Sequence, residues 1–376
     1  MDKRSFLRSA TAVLAAAALP LPALASQGKT RLLAGWRSSV DLPAPAAGGA
    51  GDYVGVIEID WTNARIVLQS AIAVSSRGHG LMGLPDGGYL ALAYRHGDWV
   101  MRADREGRAA RRLNLTEESA RVSAGHLALA GDGTHFYTTE IEPGSGQGWL
   151  TVRRIDTLAK LAEWPTRGMD PHMMAVAPDG KLMLANGGIR YSPEGRKGRV
   201  DDMDSSLVQL DPRSGELLGQ WRVRDGRLSM RHLAWNESPQ GETLLGIAMQ
   251  GEHEDPIQRK NAPVLAVWNG KELKIPTQSP MGEGYTGDIM AGPGGGFILS
   301  AQLSGKALLW HPGDATRLSL IGDFHRAGAL SGPDEDGGFL IAGEKGPVRW
   351  HMREKGQMLA WPIPMSPDNH WCLLET

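Results

Sequence analysis

Histidine is the residue type whose placement in this sequence could do chemistry. Of the 11 histidines in the 376-residue chain, five open short apolar runs: His79, His126, His172, His232 and His370. Neutral imidazole suits Fe, Cu, Zn and Ni, and several histidines that converge on one point are a common way to hold such an ion. These five residues are therefore candidate ligands of a transition metal, for which we expect iron or copper.

The histidines mark a unit that recurs along the chain. In the clearest copy, His172 opens an apolar run, the turn Pro178-Asp179-Gly180 follows, and a second apolar run returns over 182–185. Two apolar runs joined by an Asp-Gly turn are typical of a β-hairpin. Comparable units open at or near residues 79, 126, 232, 287, 328 and 370. Spacings of roughly 40–60 residues with several short strands favour a β-propeller with about four strands per blade.

The seventh unit is divided between the two ends of the chain. His370 to Leu374 supplies a first strand without a return strand, and Thr30 to Trp36 supplies a return strand without a first strand. An incomplete blade would expose unpaired strand edges, so we predict that the two segments pair. The predicted fold is all-β, a seven-bladed β-propeller closed by pairing of the N- and C-terminal strands, in one domain over residues 26–376. Cys372 should be buried there.

The first 25 residues are typical of an export signal. A basic start over residues 2–8 precedes an alanine-rich apolar run over 10–24, and Ala23-Leu24-Ala25 is a small-x-small cleavage site. Residues 3–8 resemble the twin-arginine export motif, with Lys3 in place of the first arginine. A general secretory signal is the alternative. We therefore expect a periplasmic protein, cleaved after Ala25.

The net charge and the absence of several motifs from the sequence disfavour some classes of partner and enzyme. The whole chain has a net charge of −2, and the export signal has a net charge of +2. Residues 26–376 therefore carry about −4. This charge argues against nucleic acid and anionic membrane surfaces as partners. The chain has one cysteine, no Cys-x-x-Cys-His haem motif, no phosphate-binding glycine-rich loop and no Gly-x-Ser-x-Gly motif. Acyl-transfer and nucleotide-dependent enzymes are disfavoured, and we expect no membrane span after residue 25.

Charged residues near the predicted blade mouths give further candidates. Asp288 and Asp323 would add oxygen ligands to the metal. Four arginines are candidates for binding an anion or a siderophore, with ion pairing between blades as the alternative: Arg77, Arg190, Arg231 and Arg326. Two irregular stretches, 186–204 and 250–256, are loops of the kind that carries function on a rigid scaffold.

Several motifs resemble one family, in order, over nearly all of the chain after the export signal. They are Arg77-Gly78-His79-Gly80, Gly125-His126, Asp170-Pro171-His172, Ala185-Asn186-Gly187-Gly188-Ile189, Met203 with Ser205-Ser206-Leu207, Met230-Arg231-His232-Leu233, and Asp323 with Gly328. They are similar to the periplasmic family known as domain of unknown function 1513. The resemblance implies a WD40/YVTN-like propeller. It also implies a role near iron acquisition, with imelysin-like and di-haem peroxidase-like proteins as expected partners, because members are often encoded beside them.

Three functions remain open from the sequence. The first is an accessory protein of iron or copper handling that binds metal on the propeller channel. The second is a metal-dependent hydrolase or oxidoreductase. The third is a protein-docking scaffold whose histidines hydrogen-bond the backbone of neighbouring blades and seal the channel. The first two require imidazole nitrogens that converge on one point, and the third does not.

Overall fold

Seven antiparallel sheets make up the described part of the chain. The structure is a computed structural model, which describes residues 28–44, 48–192, 196–276, 280–332, 338–351 and 356–374. The predicted export signal, residues 1–25, lies outside these ranges. Among the described residues, no helix is long and apolar enough to span a membrane.

The first strands of the chain belong to the blade that closes the ring, which we call blade 7. They are β1 (Lys29–Ser38), β2 (Gly51–Asp60), β3 (Arg65–Leu68) and β4 (Ile72–Val74). Blade 1 follows with β5 (Gly78–Gly83), β6 (Tyr89–Ala93), β7 (Trp99–Ala103) and β8 (Ala109–Asn114), and then helix α1 (Leu115–Ser119). Blade 2 contains β9 (Val122–Leu129), β10 (His135–Ile141), β11 (Gln147–Arg154) and β12 (Lys160–Met169).

Blades 3 to 6 repeat the same meander. Blade 3 contains β13 (Pro171–Val176), β14 (Leu182–Asn186), β15 (Ser206–Leu210) and β16 (Leu217–Trp221). Blade 4 contains β17 (Leu228–Glu237), β18 (Thr243–Gly251), β19 (Leu265–Trp268) and β20 (Leu273–Lys274), with helix α2 (Pro256–Lys260) after β18. Blade 5 contains β21 (Asp288–Ala291), β22 (Phe297–Ala301), β23 (Lys306–Trp310) and β24 (Leu318–Asp323). Blade 6 contains β25 (Leu330–Ser331), β26 (Phe339–Ala342), β27 (Pro347–Trp350) and β28 (Gln357–Met358), and β29 (Met365–Leu374) returns to blade 7. Four short 3₁₀ helices lie in connections of the described chain: Val200–Asp202, Pro280–Gly282, Pro293–Gly295 and Pro312–Asp314.

The chain ends close the ring as the sequence predicts. Strand β29 pairs with β1, with Cys372 opposite Leu33 and Trp371 opposite Ala34. The innermost strands contact one another in the order β29, β5, β9, β13, β17, β21, β25 and back to β29. The chain is therefore a seven-bladed β-propeller. Cys372 departs from the prediction in being only partly buried, and burial raises the pKa of its thiol.

The apolar core lies between the blades and leaves the axis to polar side chains. Leu90 and Leu92 of β6 pack against Leu127 and Phe136 of blade 2. All five residues of β6 are buried, because neighbouring blades cover both faces of the sheet. Such strands are continuous apolar runs in the sequence. The faces of the sheets are thus used for packing, and the innermost strands are left to supply side chains toward the axis.

Candidate metal centre

Each of the five histidines lies in a β-bulge of an innermost strand. In β9, the three residues between Ser123 and Leu127 face only Thr139 of β10, and His126 is one of these three. The registers shift in the same way around the other four, at Gly78/Gly80, Pro171/Met174, Met230/Leu233 and opposite Ala34/Trp36. Bulges re-aim side chains, and they are common beside functional sites. The pairings of β21 with β22 and of β25 with β26 show no shift, and the described residues of these two blades add no histidine to the cluster.

The imidazoles converge on the axis. The ligand nitrogens of His79, His126, His172 and His232 all lie within 4.8 Å of one another, and the four residues are buried. Nε2–Nε2 distances are 3.2 Å for His79 and His126 and 3.0 Å for His172 and His232. His370 Nε2 is 3.0 Å from His232 Nε2. Ligands at right angles on one ion, with bonds of about 2.1 Å, are about 3.0 Å apart. The cluster could therefore hold a transition metal ion.

Carboxylates behind the cluster orient two of the rings. Asp368 Oδ1 lies 2.6 Å from His79 Nδ1, and Asp288 Oδ1 lies 3.4 Å from His370 Nδ1. A proton held on Nδ1 by a carboxylate leaves the Nε2 lone pair free toward the axis. This carboxylate–histidine arrangement is the usual support of histidine metal ligands, since it fixes the tautomer and raises the basicity of the ring.

A second buried ion-pair group surrounds Asp170. This residue has a φ of 50°, and its two oxygens accept hydrogen bonds of 2.8 Å from Arg95 and from Arg231. Arg231 Nη1 also lies 3.5 Å from His172 Nδ1. An added Cβ at Gly187 would lie 2.6 Å from Asp170 Oδ2, so glycine is needed for this close approach. The group links blades 1, 3 and 4 across the channel mouth.

Burial keeps most of the imidazoles neutral. It is the main cause that lowers the pKa of His126, His172 and His232 well below the ordinary value, and neighbouring rings add to the effect. The pKa of His79 is also lowered by burial, although Asp368 opposes the shift. His370 differs, because Asp288 and Asp368 more than offset its burial and raise its pKa. Neutral imidazole is the form that binds a metal ion.

These shifts predict that the metal-free protein loses stability in mild acid. A lowered pKa in the folded state means that the unfolded chain binds more protons below about pH 6.5. Each of the four histidines with lowered pKa then costs up to about 1.4 kcal/mol per pH unit. The raised pKa of His370 acts in the opposite direction. Protonation of this ring stabilises the folded chain, and that stabilisation is lost only as the pH rises above 6.5. Urea unfolding of metal-free protein at pH 7.5, 6.5 and 5.5 should show the free energy of unfolding falling steeply between the last two values. An unchanged free energy would contradict neutral burial of the rings.

Of the two aspartates that the sequence predicts as metal ligands, the structure places one at the cluster and one far from it. Asp288 reaches the cluster, although its oxygens also accept hydrogen bonds from the backbone N–H groups of Ile289 and Leu330. Asp323 was wrongly included as a metal ligand, since it is exposed at the end of the outermost strand β24. With neighbouring strands about 4.8 Å apart, that strand lies about 14 Å from the innermost one.

The four predicted anion-binding arginines divide into two pairs. Arg77 and Arg231 lie at the cluster, where Arg77 Nε is 2.6 Å from Asp368 Oδ2. Arg190 and Arg326 are exposed, and neither has a described contact with the histidines. Their placement near blade mouths in the sequence did not imply that their side chains point toward the axis.

Sequence reasoning missed Asp368, Asp170 and the aromatic rings at the mouth. A signal was present, because a charged residue stands two positions before His79, His172 and His370. The two irregular stretches do reach the site. The first supplies Tyr191, whose ring lies 5.0 Å from the Arg95 guanidinium. The second supplies Glu252, 3.6 Å from Arg231.

The contacts of the five imidazoles separate the structural interpretation from the metal-binding one. In the described part of the chain, no backbone carbonyl accepts a hydrogen bond from these rings. Their side-chain partners are one another, the carboxylates of Asp288 and Asp368, and the Arg231 guanidinium. Histidines that only sealed the channel were expected to bond neighbouring backbone. The observed convergence is the arrangement that metal binding requires.

Comparisons with known proteins place the chain in a family. The profile of a protein family of unknown function, DUF1513, matches residues 72–374. The chain belongs to this family. A sequence search among curated proteins finds no match. The family profile begins before β5 and ends with β29, so it includes all five histidines of the cluster.

Solved structures similar to this DUF1513 protein are distant in sequence. A streptogramin B lyase has 12% identity and a TM-score of 0.54, over 76% of this chain and 83% of that chain. A catalytically inactive virginiamycin B lyase from Staphylococcus aureus has 9% identity and a TM-score of 0.54, over 76% and 85%. Kuenenia stuttgartiensis hydrazine synthase has 12% identity and a TM-score of 0.55, over 93% and 100%. At these identities the likeness concerns the fold alone.

Proposed function

We propose that this DUF1513 protein is a periplasmic accessory protein that binds one transition metal ion on its propeller axis and serves in iron or copper uptake or handling. The observation that supports the proposal is the convergence of buried imidazole nitrogens within 4.8 Å. Two of these rings are backed by carboxylates in the way that orients metal-ligating histidine. The lowered pKa values of His126, His172 and His232 keep the lone pairs of these three rings available at neutral pH.

The donor set favours a borderline metal ion. Imidazole nitrogen suits Cu, Fe, Zn and Ni, whereas Mg and Ca prefer oxygen ligands. Among divalent ions at equal free concentration, copper binds a nitrogen site most tightly, and Fe(II) binds more weakly than copper or zinc. Iron is supported by the resemblance of the sequence motifs to a family linked with iron acquisition, and the donor atoms do not favour it over copper. Copper and iron are therefore the two ions to compare directly.

The signal-peptide pattern at the start of the sequence supports a periplasmic location for this function. Residues 1–25 have the pattern of a signal peptide, and a periplasmic protein would meet metal ions before they enter the cell. The expected partners, imelysin-like and di-haem peroxidase-like proteins, would be met in the same compartment. The long loops at the blade mouths offer such partners a surface beside the metal.

Titration of metal-free protein tests the proposal. We expect one equivalent of Cu(II) to bind at pH 7.5, with nitrogen hyperfine splitting in the electron paramagnetic resonance spectrum from several imidazoles. Fe(II), added without oxygen, should bind at the same site and be displaced by copper. Protein prepared without metal that takes up neither ion would overturn the proposal. A Cu(II) spectrum typical of oxygen ligands would show that the ion binds at a site other than the histidine cluster.

One observation keeps the enzyme interpretation as a second candidate. The histidines of the cluster come from blades 7, 1, 2, 3 and 4, and the described residues of blades 5 and 6 add none to it. One side of the cluster therefore lacks nitrogen ligands, and catalytic metal sites keep such a position for water or substrate. Turnover by the metal-loaded protein, absent from the metal-free form, would favour a hydrolase or oxidoreductase over an accessory protein.

A further inference from the structure

A cleft of about 530 Å³ opens beside the histidine cluster, between blades 7 and 1. Pockets of roughly 300–1,000 Å³ typically take small organic ligands. The cleft lies between the ends of β1 and β29 on one side and the segments that flank β5 and β6 on the other. Its walls carry serine hydroxyls, one tyrosine ring and several charged groups, which favour a polar ligand.

The charged groups of the cleft are mainly guanidiniums. Arg37, Arg77 and Arg95 line it, and Asp52 is the one carboxylate among its described lining residues. Asp52 is neutralised by Arg37, with hydrogen bonds of 2.9 and 2.6 Å. The carboxylate partners of Arg77 and Arg95 are fully buried behind the wall. These two guanidiniums therefore line the cleft, and each is paired with a carboxylate that is not itself accessible from the cleft.

The cleft is separated from the histidines by one aromatic ring. The guanidinium of Arg77 lies 4.5 Å from the centre of the Tyr94 ring. The same ring meets His79 edge to face, with 5.1 Å between the ring centres. Arg77 also contacts Asp368, which holds His79. A ligand in the cleft would thus lie close to the proposed metal ion.

Charge balance calls for an anion once a metal is bound. Three carboxylates and three guanidiniums surround the cluster: Asp170, Asp288, Asp368, Arg77, Arg95 and Arg231. Their charges cancel, and Glu252 beside Arg231 is itself paired with Lys197. A divalent ion held by neutral imidazoles would leave two positive charges uncompensated in a buried region. Buried charges of this kind are costly unless they are paired.

We propose that the cleft binds an organic anion with two or more carboxylates, beside the metal ion. This inference rests on the proposed metal site for its charge balance, but the cleft and its guanidiniums exist without it. The planar guanidinium matches a carboxylate with two parallel hydrogen bonds. The cleft is larger than one inorganic oxyanion needs, which favours an organic ligand. The protein would then take its metal together with an oligocarboxylate chelator.

Calorimetric titration with tricarballylate tests this inference. Tricarballylate has the three carboxylates of citrate but lacks its hydroxyl group and chelates metal weakly, so it will not strip the site. We expect it to bind metal-free protein, and the copper-loaded form roughly tenfold more tightly or better. Citrate and inorganic phosphate are the comparison ligands, and phosphate should bind much more weakly than tricarballylate.

Substitutions at Ser75 provide a matched pair. This exposed residue lines the cleft, so the fold should tolerate both changes. Ser75→Asp places a carboxylate in the cleft and should weaken tricarballylate binding by about tenfold or more through like-charge repulsion. Ser75→Asn has nearly the same shape without the charge and should bind as the wild type does. Copper stoichiometry measured on both variants shows that the metal site is intact.

The outcomes separate this inference from the proposed function. Tricarballylate binding that is lost only in Ser75→Asp supports the cleft site, even if no metal binds. Protein that binds copper but neither tricarballylate nor citrate overturns the inference and leaves the metal site standing. Equal affinity of the two Ser75 variants also overturns it. Phosphate binding as tight as that of tricarballylate would overturn the assignment to an oligocarboxylate.

Discussion

Removal of residues 371–376 will leave a chain that does not reach a stable native state. The deletion takes away the half of β29 that pairs with residues 31–34 of β1. Leu32, Leu33 and Ala34 are at most 1% exposed, and their strand would become an open edge. Trp371 is itself buried, and burial of one large apolar side chain is worth about 1.5–3 kcal/mol. Several such losses approach the total stability of a typical domain, about 5–15 kcal/mol.

Thermal melting followed by circular dichroism checks this result. The shortened protein should aggregate or show no cooperative transition, because an exposed apolar edge strand pairs with other chains. The control is a deletion of residues 375–376, which follow β29 and should leave the melting temperature unchanged. A normal melting temperature after the longer deletion would show that β29 does not close the ring.

Replacement of His126 by glutamine will lower copper affinity by about a hundredfold or more. Loss of a group that only supports a metal ligand typically costs 10–100-fold, and His126 is a candidate ligand itself. It is also central, with its ring centre 4.6–5.2 Å from those of the other four histidines. Gly125, at a φ of 105°, allows this position, since a Cβ there would lie 2.8 Å from the His79 ring.

Competition with a chromophoric copper chelator measures the change in affinity. His325→Gln is the matched control, because His325 is exposed and lies outside the cluster. The fold should survive His126→Gln. Its free energy of unfolding at pH 5.5 should fall less than that of the wild type, since one buried imidazole that resists protonation is gone. Copper affinity equal to that of the control would remove His126 from the site.

Fold and ring closure could be read from the sequence because both are encoded in local spacing. The recurrence of His172 and its Pro178-Asp179-Gly180 turn gave the length of a blade. The complementary half-units at the two chain ends then required the pairing of β1 with β29. The blade unit and each of the two half-units lie in one contiguous segment, where turn chemistry and apolar periodicity act directly.

The innermost strands and their five histidines could also be predicted, because the first strand of every blade lies next to the axis. How those residues are aimed was not predictable, because a bulge depends on the register between two strands. The sequence does not display the bulge in which three residues of β9 face one residue of β10. The bulges bring three pairs of imidazole nitrogens to 3.0–3.2 Å from one another.

Contacts between blades were decided by the tertiary structure alone. Arg95 from the connection after β6 reaches Asp170 at the start of blade 3, beyond the intervening blade 2. Asp368 came to His79 across 289 positions of sequence, whereas Asp323 was left on an outer strand. Spacing along the chain fixes which strand a residue occupies and how far that strand lies from the axis. Only the packing of loops over the mouth fixes which charges meet there, because those partners are distant in sequence and no local pattern links them.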